Sequence, residues 1–178
     1  MLNTVLTFWF EELSPEQWFK KDAELDQHIA DCFTTLHQKA ARCELYPWRQ
    51  QARGRLAEII VLDQLPRNIY RDTPQAFATD ALALALAQEA IDLGFDQELT
   101  TAERSFVYMP FMHSESVEIH DVAVRLFDQE GLETNLEFEL KHKAIIDRFG
   151  RYPHRNAILG RESTEEELEF LQQPGSGF

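Results

Sequence analysis

Apolar residues recur along the chain at three- and four-residue spacing, and strand-like alternation is nearly missing. Near the start, Val5, Leu6, Phe8, Trp9 and Phe10 stand too densely for a surface helix and predict a short buried segment. Leu25, Ile29, Phe33, Leu36 and Ala40 hold one face of a second helix, with Asp22 in place to cap it through its short carboxylate. A third helix is expected from about Ala52 to Leu65, with Leu56, Ile59, Ile60 and Val61 inward. Pro66 ends it, because its ring clashes with the preceding turn. Thr73-Pro74 reads as cap and first position of the next helix. The run Ala81–Ile91 alternates superficially, yet Ala and Leu are strong helix formers and Gly94 supplies a left-handed stop, so it reads as helix. An alanine-lined face also lets a neighbouring helix approach closely.

Thr101 begins another helix that Pro110 bends or breaks, and Glu115 to Gln129 resume. Thr134-x-x-Glu137 forms a capping box before a helix with Leu136, Phe138, Leu140, Ile145 and Ile146, closed by Gly150. After a loop, Ser163-x-x-Glu166 and Thr164-x-x-Glu167 offer overlapping boxes for a final short helix. Seven or eight helices with short connections predict antiparallel hairpins in a single all-α domain over 1–172, followed by a flexible tail over 173–178. No clean repeat of about 34 residues is present.

The chain has 178 residues, 44% of them hydrophobic, long enough to bury a core without disulfide or metal. Seventeen Lys and Arg against 31 Asp and Glu give a net charge of −14, which excludes a general nucleic-acid binder and an anionic membrane surface as partners. No signal peptide and no run of about 18 apolar residues is present, so a cytoplasmic protein is expected. Cys32 and Cys43 read as free thiols in the core or at its boundary. Trp9, Trp18 and Trp48 read as core.

Against this acidic background the positive charge is segregated. Segment 49–71 holds Arg49, Arg53, Arg55, Arg67 and Arg71 against Glu58 and Asp63, and segment 148–161 holds Arg148, Arg151, Arg155 and Arg161 with His154 and no acid. All nine cations are arginine, whose planar fork grips carboxylate or phosphate at two points. Pro66-Arg67-Asn68 and Pro153-His154-Arg155-Asn156 both follow a helix stop, where exposed functional groups concentrate. Two readings fit: arginines locking loops to helix ends with Asp63, Asp80, Asp147 or Glu115 as partners, or a recessed anion site.

His113 and Glu115 lie just past Pro110, with His120 and Asp121 on the same helix. Two helical ligands of one metal need a spacing of three or four, whereas His113 and His120 stand about 10 Å apart along the axis, so no metal site is expected within this helix, which leaves only long-range ligation by His113, His154 and a carboxylate open. Glu115 beside His113 suits general acid–base chemistry, against a plain alternative in which Ser114 caps a helix. Neither a nucleophile elbow nor a glycine-rich phosphate loop occurs, and no cofactor is expected.

The stretches FWF (8–10), WF (18–19), GRLAEIIVLDQLPRNIYR (54–71), AFATDALALALA (76–87), PFMHSE (110–115) and RFGRYPHRNAILGRESTEEELEFL (148–171) resemble the domain-of-unknown-function family 924. The resemblance spans nearly the whole chain. It implies an all-α fold of the tetratricopeptide-like helical class and no particular reaction. Leu65 and Tyr152 stand where the family pattern leads one to expect Phe, and His120 where it leads one to expect Gln.

The expected function is a helical binding or scaffold module whose face of Arg67, Asn68, Arg71, Arg148, Arg151, His154, Arg155, Asn156 and Arg161 recognises an anionic small molecule or acidic peptide. The alternative is a hydrolase or lyase on an anionic substrate, with His113, Glu115 or His154 as acid or base and arginines as clamps. A third reading makes the arginines purely structural. Self-association is left open.

Overall fold

The computed structural model describes residues 1–177, and every regular element among them is helical. The α-helices are α1 (Leu2–Thr7), α2 (Ala23–Ala41), α3 (Ala52–Asp63), α4 (Leu65–Ile69), α5 (Asp80–Asp92), α6 (Thr101–Met112), α7 (Val117–Phe127), α8 (Glu133–Phe149), α9 (Asn156–Leu159) and α10 (Glu165–Leu171). Each of the eight segments expected from periodicity carries a helix; α4 and α9 are further short turns. No helix among the described residues is long and apolar enough to cross a membrane.

Several ends follow the local chemistry. The Asp22 carboxylate accepts from the N–H groups of Glu24 and Leu25 at 2.9 and 3.1 Å. Gly94 and Gly150 close α5 and α8 at φ of 73° and 68°, the left-handed region that costs glycine nothing. Thr164 and Glu167 form the complete capping box of α10. Elsewhere the expectations need correction. Pro74–Phe77 tightens into a 3-10 turn, and α5 starts only at Asp80. The Thr134 box does not form: α8 begins at Glu133, whose carboxylate turns back to the Gly131 N–H at 3.0 Å. Pro110 sits inside α6, which runs two residues further, and α7 has Ser116 rather than Ser114 at its N-cap position, with no bond from the Ser116 side chain to the helix start. Both cysteines are exposed, not core, while Trp9 is buried and Trp18 and Trp48 are half-buried.

Contacts group the described chain into two compact units, one of residues 1–71 with 75–110 and the other of 72–74 with 111 onward. In the first, α3 is the central element: every residue from Gly54 to Asp63 is buried. It packs against α1, α2 and α5, and α5 turns Ala83, Leu86, Ala87 and Ala90 inward, so its small side chains permit the close approach expected of them. Gly54 has a steric reason: a Cβ there would lie 1.8 Å from the Trp48 carbonyl oxygen. Trp9, Phe10 and Trp18 gather around Phe106 with centroids 5.0 to 5.6 Å from its ring. In the second unit α7 packs on α8, and Ile145, Ile146 and Tyr152 form a core with Phe149 and Phe170. Phe138 and Leu140 of α8 point outward.

Candidate functional site

The sequence nominates two arginine-rich segments, and each is built from its own local frame. In the first unit, Arg67 lies on α4 and Arg71 just beyond it. Arg67 grips Asp80 at the start of α5 with two bonds of 3.0 Å and also donates to the Asp63 carbonyl. Arg71 grips Asp26 of α2 at 2.5 and 2.7 Å, and Asn68 adds a bond to the same carboxylate at 2.8 Å. Burial pushes the Asp26 carboxyl up, but Arg71 and Asn68 outweigh it and hold the group below its usual range. Upstream, Arg49 takes the fully buried Glu58 bidentately at 2.7 Å, Arg53 pairs with Glu103 and Arg55 with Glu89. These arginines tie helix ends together.

In the second unit the hub is Tyr152, only 1% exposed. Its N–H donates to Glu115 at 2.7 Å, its carbonyl accepts from Arg161 at 3.1 Å, and its hydroxyl donates to the Met112 carbonyl at 2.5 Å. Arg161 grips Glu115 at 2.7 and 2.9 Å and donates to Asn156 at 2.9 Å. Asn156 in turn reaches Ser163 and Glu167, and Arg151 holds Glu167 with two bonds of 2.7 and 2.8 Å. Arg148 pairs with Glu166, and the buried Arg155 donates to the His113 carbonyl at 3.1 Å while its guanidinium lies 4.6 Å over the Tyr152 ring. The Arg151 bonds hold the Glu167 carboxyl at a pKa of about 2, against the upward push of burial. Glu115 behaves alike: burial raises it, yet Arg161 and the Tyr152 N–H bring it below normal. The loop after α8 is thereby latched to the α6–α7 turn and to α10.

Three imidazoles surround the same tyrosine. His120, His142 and His154 have ring centroids 6.2, 5.8 and 5.5 Å from it, and Gly177 of the tail lies against His154. The tail segment expected to be flexible includes Phe178, which lies outside the described residues; within the described part Ser176 donates to the Leu171 carbonyl at 3.3 Å. His142 is buried and bonded to the Phe138 carbonyl at 2.7 Å. Burial pushes its pKa down to about 3, helped by His113, His120 and His154, whose charges oppose one on its ring.

His120 and Glu139 are both fully buried and 2.6 Å apart. Nε2 of His120 faces the Ser114 carbonyl at 2.8 Å and the Tyr152 oxygen at 3.3 Å, so it carries a proton. The other proton lies in the Nδ1···Oε1 bond. Whether it sits on nitrogen or oxygen, the pair as a whole is neutral. Burial raises the Glu139 carboxyl above its ordinary range, and its Oε2 is buried without a partner.

The expected site residues are thus found in place, but engaged. Arg67, Asn68 and Arg71 belong to one brace and Arg148, Arg151, Arg155, Asn156 and Arg161 to another, and the pairing accounts for the charge segregation that suggested an anion guest. Glu115, the expected candidate for acid or base, is committed to Arg161 and the Tyr152 N–H. A buried His–carboxylate contact forms at His120–Glu139. Glu139 and His142 escaped notice, although their three-residue spacing on one helix face was a signal. Among the described residues no group of three or more His, Cys, Asp or Glu could hold a metal ion.

Such an architecture defines an all-helical protein braced by internal guanidinium–carboxylate pairs. The chain belongs to the family described as bacterial protein of unknown function (DUF924), whose model matches residues 5–175. It is similar to a solved structure of a protein of unknown function from Agrobacterium tumefaciens, with 42% identity, a TM-score of 0.91 and 96% of each chain covered. No curated protein matches it.

Proposed function

We propose that this chain is a helical binding module whose arginine-rich segments brace the frame, and whose ligand is neutral or basic. One observation carries the reading: the arginines nominated to grip a guest already hold Asp80, Asp26, Glu166, Glu167 and Glu115, and Arg155 holds the His113 carbonyl and the Tyr152 face. An anionic small molecule or acidic peptide at those groups has to displace an internal carboxylate, at a cost of about 3–5 kcal/mol for a buried acid such as Glu167. The net charge of −14 opposes anions further. The hairpins are in keeping with the tetratricopeptide-like class that the family resemblance implies. A hydrolase or lyase has less support, since a general base must reach its substrate proton and the His120–Glu139 pair is sealed from solvent.

Thermal unfolding with added phosphate or succinate tests this. At about 10 mM, neither should raise the midpoint beyond the effect of sodium chloride at equal ionic strength. Arg151→Ala and Arg161→Ala should each destabilise by about 1–3 kcal/mol, because each strands a carboxylate. Anion-dependent stabilisation, with both variants as stable as the parent, would restore the anion site.

A further inference from the structure

Away from the arginine braces, the first unit carries a shallow surface cavity of about 330 Å³ between the end of α2 and the turn before α5, lined among others by Ala41, Arg42, Tyr70 and Ala78. Its floor is made by two buried side chains, His37 and Thr79, which are 6% and 8% exposed. Hydrogen-bond direction along this floor follows from one contact. The Thr79 hydroxyl donates to the Leu62 carbonyl at 2.6 Å, so toward His37 its oxygen accepts. Nε2 of His37, 3.3 Å from that oxygen, therefore holds the ring proton, and Nδ1 takes the proton of the Tyr70 hydroxyl at 3.4 Å. The chain of donors runs one way, from Tyr70 through His37 and Thr79 into the α3 backbone. Burial of His37 keeps its imidazole neutral, which preserves this order.

We infer that this cavity is a binding site for a small, neutral, flat ligand that presents a hydrogen-bond donor, such as a phenol- or indole-like ring. The proposal rests on the binding-module reading above and names its site. Two features select the ligand. The walls at Ala41 and Ala78 are methyl-sized and leave a slot beside the Tyr70 ring, which suits an aromatic face. The hydroxyls of Thr79 and Tyr70 have committed their protons to Leu62 and His37, so at these two oxygens a guest meets lone pairs and must bring the donor itself. A carboxylate or phosphate meets the same lone pairs, and Arg42 at the rim is already paired with Glu44 at 2.6 Å.

Phenol and toluene, alike in shape and different in the donor, are the probes, read by ligand-observed NMR and by the His37 ring resonances. Phenol should bind in the millimolar range expected of so small a molecule and shift the His37 signals. Toluene should bind at least about fivefold more weakly, the worth of one hydrogen bond. Ala78 is exposed, so Ala78→Leu fills the slot without touching the core and should weaken phenol at least about tenfold. Tyr70→Phe should erase the preference for phenol over toluene. Equal binding of the two probes to the parent, unchanged affinity in Ala78→Leu, or unmoved His37 resonances at saturating phenol each overturn the site. None of these outcomes bears on the anion and arginine measurements, so the two failures are distinguishable.

Discussion

A buried imidazole and carboxylate that share one proton are held by mutual need, and His120 with Glu139 is such a pair. Removing the imidazole leaves a carboxyl in the core whose second oxygen has no partner already. His120→Ala should therefore cost about 3–5 kcal/mol in denaturant unfolding, whereas Glu139→Gln, which keeps the shape and one bond to Nδ1, should cost far less. Two of the residues expected to depart from the family pattern meet here: the Tyr152 hydroxyl oxygen lies 3.3 Å from His120 Nε2, so they form one coupled feature. His142 adds a pH dependence. Its folded pKa of about 3 lies below the ordinary 6.5, so the unfolded chain takes up a proton that the folded one refuses. Stability is full above pH 6.5 and falls as pH drops toward 3, by up to about tenfold in the folding constant per pH unit. His142→Phe should remove that slope, so its stability relative to the parent should climb as the medium is acidified, measured by unfolding at several pH values. Glu167, held at about 2, adds a loss of its own, which begins as pH falls below 4.5.

Among the elements, α3 is the least forgiving, because it meets neighbours on every side. The narrowest point is Gly54 under the Trp48 carbonyl, and Gly54→Ala should destabilise by about 1–3 kcal/mol or more as the backbone yields, visible as a lowered thermal midpoint. Helices were legible in the sequence wherever an apolar stripe or a stop residue acted locally: Asp22, Gly94, Gly150 and the Thr164 box all behave as their chemistry dictates. The misplaced start of α5 has a distant cause. Thr79 spends its hydroxyl on Leu62, seventeen positions earlier, and not on a cap. The arginines were legible as a segregated charge, with Asp63, Asp80 and Glu115 among the expected partners, but which arginine meets which acid was not, because Arg161 and Glu115 stand 46 residues apart and Arg71 and Asp26 stand 45 apart. Local pattern carries no information about such pairings; only the packed helices create them.

For the molecule as a whole, the braces spend arginines on internal carboxylates and leave most of the remaining acids facing water, Asp96 and Glu139 being buried, under a net charge of −14. Self-repulsion among them is screened within a Debye length of about 8 Å at physiological salt. Moderate sodium chloride should raise the thermal midpoint from its low-salt value, by a few degrees, until the braces themselves are screened. A midpoint that falls steadily from the lowest salt upward would mean that the ion pairs outweigh the repulsion.

The two exposed cysteines give all of this a practical handle. Cys43 follows Arg42 at the rim of the cavity and adopts a left-handed backbone with φ of 58°, outside the hydrophobic interior. A maleimide dye attached there, with Cys32 replaced by serine, would sit beside the entrance as a fluorescent reporter of occupancy. The same thiols would link copies of the chain during aerobic storage, so purification calls for a reductant.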